Sequence, residues 1–259
     1  MSHNQSYRRI LHKMGYYNYQ RGLIYHHLDE EGSWNTHLKN CRNFILDSLE
    51  YYKPPVVTVL GSGWLLDLPL KEIIEMCDEV NLVDIIHPPE VKAQTAALKK
   101  VILREDDISG GLINEIWQKA GRRTFFNKLA SIAGIEVTEY QPEYDPGFII
   151  SLNILTQLEA LPLEFLRKKT KVSDENLLRF RREIQSRHIS FLSKHKSVLI
   201  TDLAEIITEK NGNVTENPSV LVPLPQGMLK KEWTWYFDLK RSDYYTRRSV
   251  FNVLALVLQ

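Results

Sequence analysis

An apolar run, Val56-Val57-Thr58-Val59-Leu60, breaks into Gly61-Ser62-Gly63, and a second run, Val80-Asn81-Leu82-Val83, ends on Asp84. Glycines after a strand let backbone approach a ligand closely, and an acid at the tip of the next strand can hold both hydroxyls of a ribose. Asp84 follows Gly61 at close to the spacing of about twenty residues expected of a nucleotide-binding βαβ unit. The chemistry on offer is the holding of a nucleoside cofactor. A plain tight turn and a helix-capping acid are the alternatives for these residues.

Asn153 and Gln157 sit about one helical turn apart after another apolar run, Phe148 to Leu152, where open α/β sheets bind ligands. Helix capping by Asn153 and solvent exposure of Gln157 is the competing reading. His26, His27 and His37 match no tetrahedral ligand spacing, so no metal site is expected and ordinary surface or core histidines are favoured. The basic runs Arg167-Lys168-Lys169-Thr170-Lys171 and Arg179-Phe180-Arg181-Arg182 are diluted by Glu175 and Glu183. They read as a solvated helix face rather than a nucleic-acid stripe.

Strands are expected near 56–60, 80–84, 101–104, 148–152 and 197–202, and helices near 69–77, 89–100, 154–169 and 174–195. Continuous Val/Ile/Leu strands alternating with helices imply a parallel sheet covered on both faces. Residues 105–147 are expected to hold helices at Leu112 to Lys119 and Arg123 to Ala133. Near the end, Trp233 to Leu239 and Ser249 to Leu258 read as an antiparallel hairpin joined by Lys240 to Arg248.

Residues 1–53 form a distinct helical segment rich in Tyr and His, including Tyr19, and close on Pro54-Pro55. Its stripe of Trp34, Leu38, Cys41, Ile45 and Leu49 recurs at helical spacing and suits docking onto the 54–259 body. The aromatic segment serves either as that docking face or as a lid over a cofactor.

The chain has 259 residues, 33 Lys+Arg against 32 Asp+Glu, and 43% hydrophobic residues. That balance gives no global field toward nucleic acid or anionic membrane. Cys41 and Cys77 have no metal-ligand spacing, and Cys77 is expected to be a buried small hydrophobe within a helix. Met1 to Gln5 lacks the apolar core of a signal peptide, and no stretch is long and apolar enough to span a bilayer. A cytoplasmic protein is expected.

On Val57 to Gly63, Val83-Asp84, Phe148 to Leu158 and the terminal hairpin, residues 54–259 resemble the class I S-adenosylmethionine-dependent methyltransferases. The resemblance implies a Rossmann-like, mostly parallel sheet with a C-terminal antiparallel hairpin, preceded here by the helical segment. It implies that Gly61, Ser62, Gly63, Asp84, Ile85 and Asn153 hold S-adenosylmethionine, with Asp106 or Asp107 near its adenine. Gln157, Trp64 and Tyr19 would border the acceptor, a small molecule or a protein group. The sequence departs from the family pattern at Val59, where an acid is common, and at Trp64 and Leu65, where a third small residue is common.

Two other functions stay open. A binding protein of the same fold without activity is one, supported by those departures. A nicotinamide-dependent oxidoreductase is the other, although Gly61-Ser62-Gly63-Trp64-Leu65-Leu66 lacks the third small residue that suits a pyrophosphate.

Overall fold

A computed structural model describes residues 5–124, 126–240 and 247–258. Three helices, α1 (Gln5–Met14), α2 (Tyr16–Asp29) and α3 (Asn35–Tyr52), precede an alternation of strands and helices. It runs β1 (Val56–Leu60), α4 (Leu70–Met76), β2 (Glu79–Asp84), α5 (Pro89–Thr95), β3 (Val101–Glu105), α6 (Leu112–Ala120) and β4 (Phe148–Leu152). It continues through α7 (Ala160–Lys169), α8 (Asp174–Leu192), β5 (Ser197–Thr208), β6 (Val214–Pro218), β7 (Lys230–Asp238) and β8 (Arg248–Leu258).

The strand order is β3-β2-β1-β4-β5-β8-β7, with β6 paired to β5 off that path. Strands β1 to β5 are parallel, whereas β8 runs antiparallel to both β5 and β7. The fold is therefore the expected Rossmann-like α/β sheet with an antiparallel C-terminal pair. Chain direction across the sheet reverses between β1 and β4, and such a switch point opens a crevice at the carboxyl ends of the strands.

Side chains alternate between the two faces. Phe148, Ile150 and Leu152 of β4 pack with Val57 and Val59 under α3 and α4, while Ile149 packs with Leu60 under α6 and α8. Trp34, Leu38, Cys41, Ile45 and Leu49 are all buried, so the stripe is the docking face of α3. Helix α2 differs, because none of its residues is buried.

Several elements depart from expectation. The helix over 89–100 stops at Thr95, whose hydroxyl bonds back to the Val91 carbonyl at 2.8 Å, and turns at 95–101 then lead into β3. Residues 154–159 form turns, so the helix expected from 154 begins at Ala160. No helix forms among the described residues of 123–133. There the Leu129 N–H bonds the Lys169 carbonyl and its own carbonyl accepts from Lys171 N–H, which diverts that backbone from a helical ladder. Cys77 is buried but lies one residue beyond α4. Strand β6, wholly exposed and with Val214 as its one large apolar residue, carries no apolar alternation to announce it.

Within the expected Lys240 to Arg248 connection, residues 241–246 lie outside the described residues. Met1 to Asn4 and Phe125 do as well. No described helix is long and apolar enough to cross a membrane.

Candidate functional site

The Gly61-Ser62-Gly63 turn is built against the ends of both neighbouring strands. The N–H groups of Gly61 and Ser62 donate to the Val83 carbonyl at 2.9 and 3.2 Å, and Gly63 N–H donates to Asp84 Oδ2 at 2.8 Å. All three amides of the turn are thus committed to the end of β2. Gly61 has φ +82°, and a Cβ there would meet the Leu152 carbonyl and Ile154 Cβ, each at 2.8 Å. The first glycine therefore serves close packing onto β4. At Gly63, with φ +49°, a Cβ would meet only Gly61 O at 3.9 Å.

Asp84 is 5% exposed. Burial raises its carboxyl above the usual range, opposed by nearby His87 and by the N–H groups of Gly63, Ile86 and Ile85. Its other oxygen, Oδ1, accepts from Gln20 Nε2 of α2 at 3.3 Å. The Gln20 carbonyl accepts from Trp64 Nε1 at 2.8 Å, which ties α2 to the loop after Gly63.

A cavity of about 120 Å³ lies here, over the ends of β1, β2 and β4. Gly61, Ser62, Gly63, Trp64, Asp84, Ile85, Asn153, Gln157 and Tyr19 all line it. Sequence reasoning missed Gln20 and Asp67, which line it too, as does His37, read from the sequence as an ordinary surface or core histidine. The lining holds the two acids Asp84 and Asp67 but no lysine or arginine. The Ser62 hydroxyl and Gln20 Oε1 are buried without partners.

Asp106 and Asp107 do not line this cavity. Asp106 accepts from Tyr140 OH at 2.8 Å and from the Asp107 N–H at 2.8 Å. Asp107 accepts from the hydroxyl and N–H of Ser109, from Ile113 N–H at 3.3 Å and from Tyr7 OH at 3.2 Å, and so anchors the start of α6. Both acids are spent on folding the chain that leaves β3.

At the β4 end, Asn153 Nδ2 donates to Asp67 Oδ2 at 2.8 Å. Gln157 folds back so that its Nε2 donates to the Asn153 carbonyl at 2.7 Å. Neither residue follows its alternative reading: the Asn153 side chain faces Asp67 instead of capping a helix, and Gln157 is half-buried. Asn153 and Leu65 both hold positive φ, +49° and +61°. Each costs on the order of 1–3 kcal/mol, a strain that clusters where surrounding structure demands a special geometry. Here the two strained loops bring Asn153 and Asp67 together. Burial raises the Asp67 carboxyl as well, against the Asn153 hydrogen bond and the more distant Arg42.

His37 is buried, stacked on Trp235 with ring centroids 3.9 Å apart, and burial lowers its pKa to about 3. Its Nδ1 lies 3.1 Å from Trp233 Nε1, which can only donate. Its Nε2 lies 3.3 Å from Asn153 Nδ2 and 3.5 Å from Cys41 Sγ. His37, Cys41 and Asp67 gather within metal-ligand distance of one another.

Acids match the basic runs outside the cavity. Arg167 lies 4.0 Å from Asp174, Lys168 2.5 Å from Glu164, Arg179 3.9 Å from Glu175 and Arg181 3.2 Å from Glu159.

No family model matches the chain, and no curated protein matches it. Two solved structures are similar to it at low identity. A DhpI–SAH complex is 11% identical, with 95% of this chain and 96% of that chain covered and a TM-score of 0.35. A DhpI–SAM–HEP complex is 10% identical, with 90% and 97% covered and a TM-score of 0.33.

Proposed function

We propose that the chain is an S-adenosylmethionine-dependent methyltransferase whose acceptor is a small molecule or a protein group. The observation that carries this reading is the aim of Asp84. Gly63 N–H fixes its carboxylate in a cavity at the sheet's switch point that has a second acid, Asp67, and no cationic side chain. Such a lining suits a ligand with a diol and net positive charge, and it repels a phosphate. Asp84 would accept from the ribose hydroxyls, and the unpartnered Ser62 hydroxyl would gain a bond beside it. The bound cofactor supplies a sulfonium-activated methyl for in-line displacement, so the protein mainly positions the two reactants.

The same turn disfavours a nicotinamide dinucleotide. Its three amides are spent on Val83 and Asp84, and α4 does not begin until Leu70, so no free N–H cradle faces a pyrophosphate.

A second reading, a nucleoside-binding protein without turnover, has its own observation. The cavity, at about 120 Å³, is smaller than the roughly 300–1,000 Å³ of ordinary ligand pockets. Gln20 already occupies one oxygen of Asp84. Under the methyltransferase reading α2, none of whose residues is buried, has to move outward and release Gln20 from Asp84. Calorimetric binding of S-adenosylmethionine and S-adenosylhomocysteine tests the cofactor, and transfer of a labelled methyl group then separates enzyme from binder.

A further inference from the structure

We infer that Asp67 is the counter-charge for a primary ammonium, the amino group at the amino-acid end of the bound cofactor. This rests on the cofactor reading above and adds to it the residue that recognises the end opposite the ribose.

Sheet order sets the direction. Asp84 ends β2, and the glycine turn after β1 separates it from Asn153, which follows β4. Neighbouring strands lie about 4.8 Å apart, so a ligand anchored on Asp84 and laid across β1 reaches β4 some 10 Å away. The carboxylate at that point is Asp67, held by Asn153 Nδ2 at 2.8 Å. On the opposite side, beyond β3, Asp106 and Asp107 are already filled by Tyr140, Ser109, Ile113 and Tyr7. An ammonium turned that way would find no acid with capacity to spare.

Asp67 differs from those acids. The nearest guanidinium, that of Arg42, donates to the Leu66 carbonyl instead, and Asp67 forms no ion pair among the described residues. His37 is neutral and offers no positive charge. A half-buried carboxylate that lines a cavity with one side-chain donor and no ion pair has capacity for a cation to complete it. The buried, unpartnered Ser62 hydroxyl lines the same cavity and is an independent sign of a polar ligand there.

The test compares two ligands by calorimetry on the full chain: S-adenosylhomocysteine, and 5′-methylthioadenosine, which lacks the amino-acid part. Asp67→Asn is expected to weaken S-adenosylhomocysteine by 10- to 100-fold and to leave 5′-methylthioadenosine unchanged. Asp84→Asn is expected to weaken both. Unchanged S-adenosylhomocysteine affinity in a folded Asp67→Asn protein, or equal loss of both ligands, overturns the assignment while the cofactor reading stands. Failure of the wild-type protein to bind either ligand overturns both. Should the variant not fold, the wild type is titrated with S-adenosylhomocysteine and its deaminated analogue. A 10-fold or greater preference for the amine supports the assignment, and equal affinity overturns it.

Discussion

Gln20 stands on Asp84: its side-chain amide donates to Oδ1 at 3.3 Å while Gly63 N–H holds Oδ2 at 2.8 Å. Helix α2 thereby occupies the carboxylate that the proposed cofactor's ribose would need, and Trp64 fastens the same residue through its carbonyl. Closure of the site and vacancy of its acid are mutually exclusive.

Gln20→Ala follows directly. It removes one hydrogen bond to a buried carboxylate, worth about 1.5–3 kcal/mol for a charged partner and less at this length. S-adenosylhomocysteine should bind a few-fold to about ten-fold more tightly, as read by calorimetry. Hydrogen exchange across 16–29 should be faster in the variant than in the wild type. Weaker binding would mean that Gln20 is part of the ligand site rather than its competitor.

Asp84→Ala should weaken S-adenosylmethionine by roughly one to two orders of magnitude, since charged hydrogen bonds to the ribose are worth about 1.5–3 kcal/mol. Circular dichroism checks the fold. A folded variant with unchanged affinity removes Asp84 from the site.

Gly61 and Gly63 should answer differently to alanine. At Gly61 the new Cβ meets the Leu152 carbonyl and Ile154 at 2.8 Å in addition to its left-handed backbone. A loss of about 3 kcal/mol or more in denaturant stability is expected. At Gly63 only the backbone penalty of about 1–2 kcal/mol applies. Equal losses would contradict the packing role assigned to Gly61.

Two buried groups pull stability in opposite directions with pH. Burial, opposed by Arg181 and Gln185, raises Glu159 to about 7 from 4.5. Its stabilising contribution is therefore complete below pH 4.5 and is lost as pH rises through 7. Burial lowers His188, hydrogen-bonded to Ser151 Oγ at 2.8 Å, to about 4 from 6.5. Its contribution is complete above pH 6.5 and is lost as pH falls through 4. Each amounts to something on the order of 3 kcal/mol, so they largely cancel between pH 4.5 and 6.5. Glu159→Gln should leave stability rising steeply with pH across that window in urea melts, where the wild type is nearly flat. A variant whose pH profile matches that of the wild type would show that Glu159 titrates normally.

The sheet was legible because its strands are short apolar runs that no other element explains. The glycine turn and Asp84 announced the crevice, and the cavity gathers Gly61, Ser62, Gly63, Asp84, Ile85 and Asn153 together with Trp64, Gln157 and Tyr19. Asp106 and Asp107 lie outside the cavity, because an acid after a strand can also anchor the next helix, and only the donors around it tell the two apart. Gln20 was invisible, since its role depends on how α2 crosses the sheet, which no local pattern encodes. Asp67 did leave a trace, a lone acid in Trp64-Leu65-Leu66-Asp67-Leu68-Pro69, but its partner Asn153 is distant in the chain.

The central claim is that Asp84 and its cavity hold a cationic nucleoside cofactor. A calorimetric titration of the full chain with S-adenosylmethionine and S-adenosylhomocysteine, with NAD as the control, tests it most directly. The account predicts selective micromolar binding of the first two and none of NAD. No binding of either, or equal binding of NAD, would contradict it.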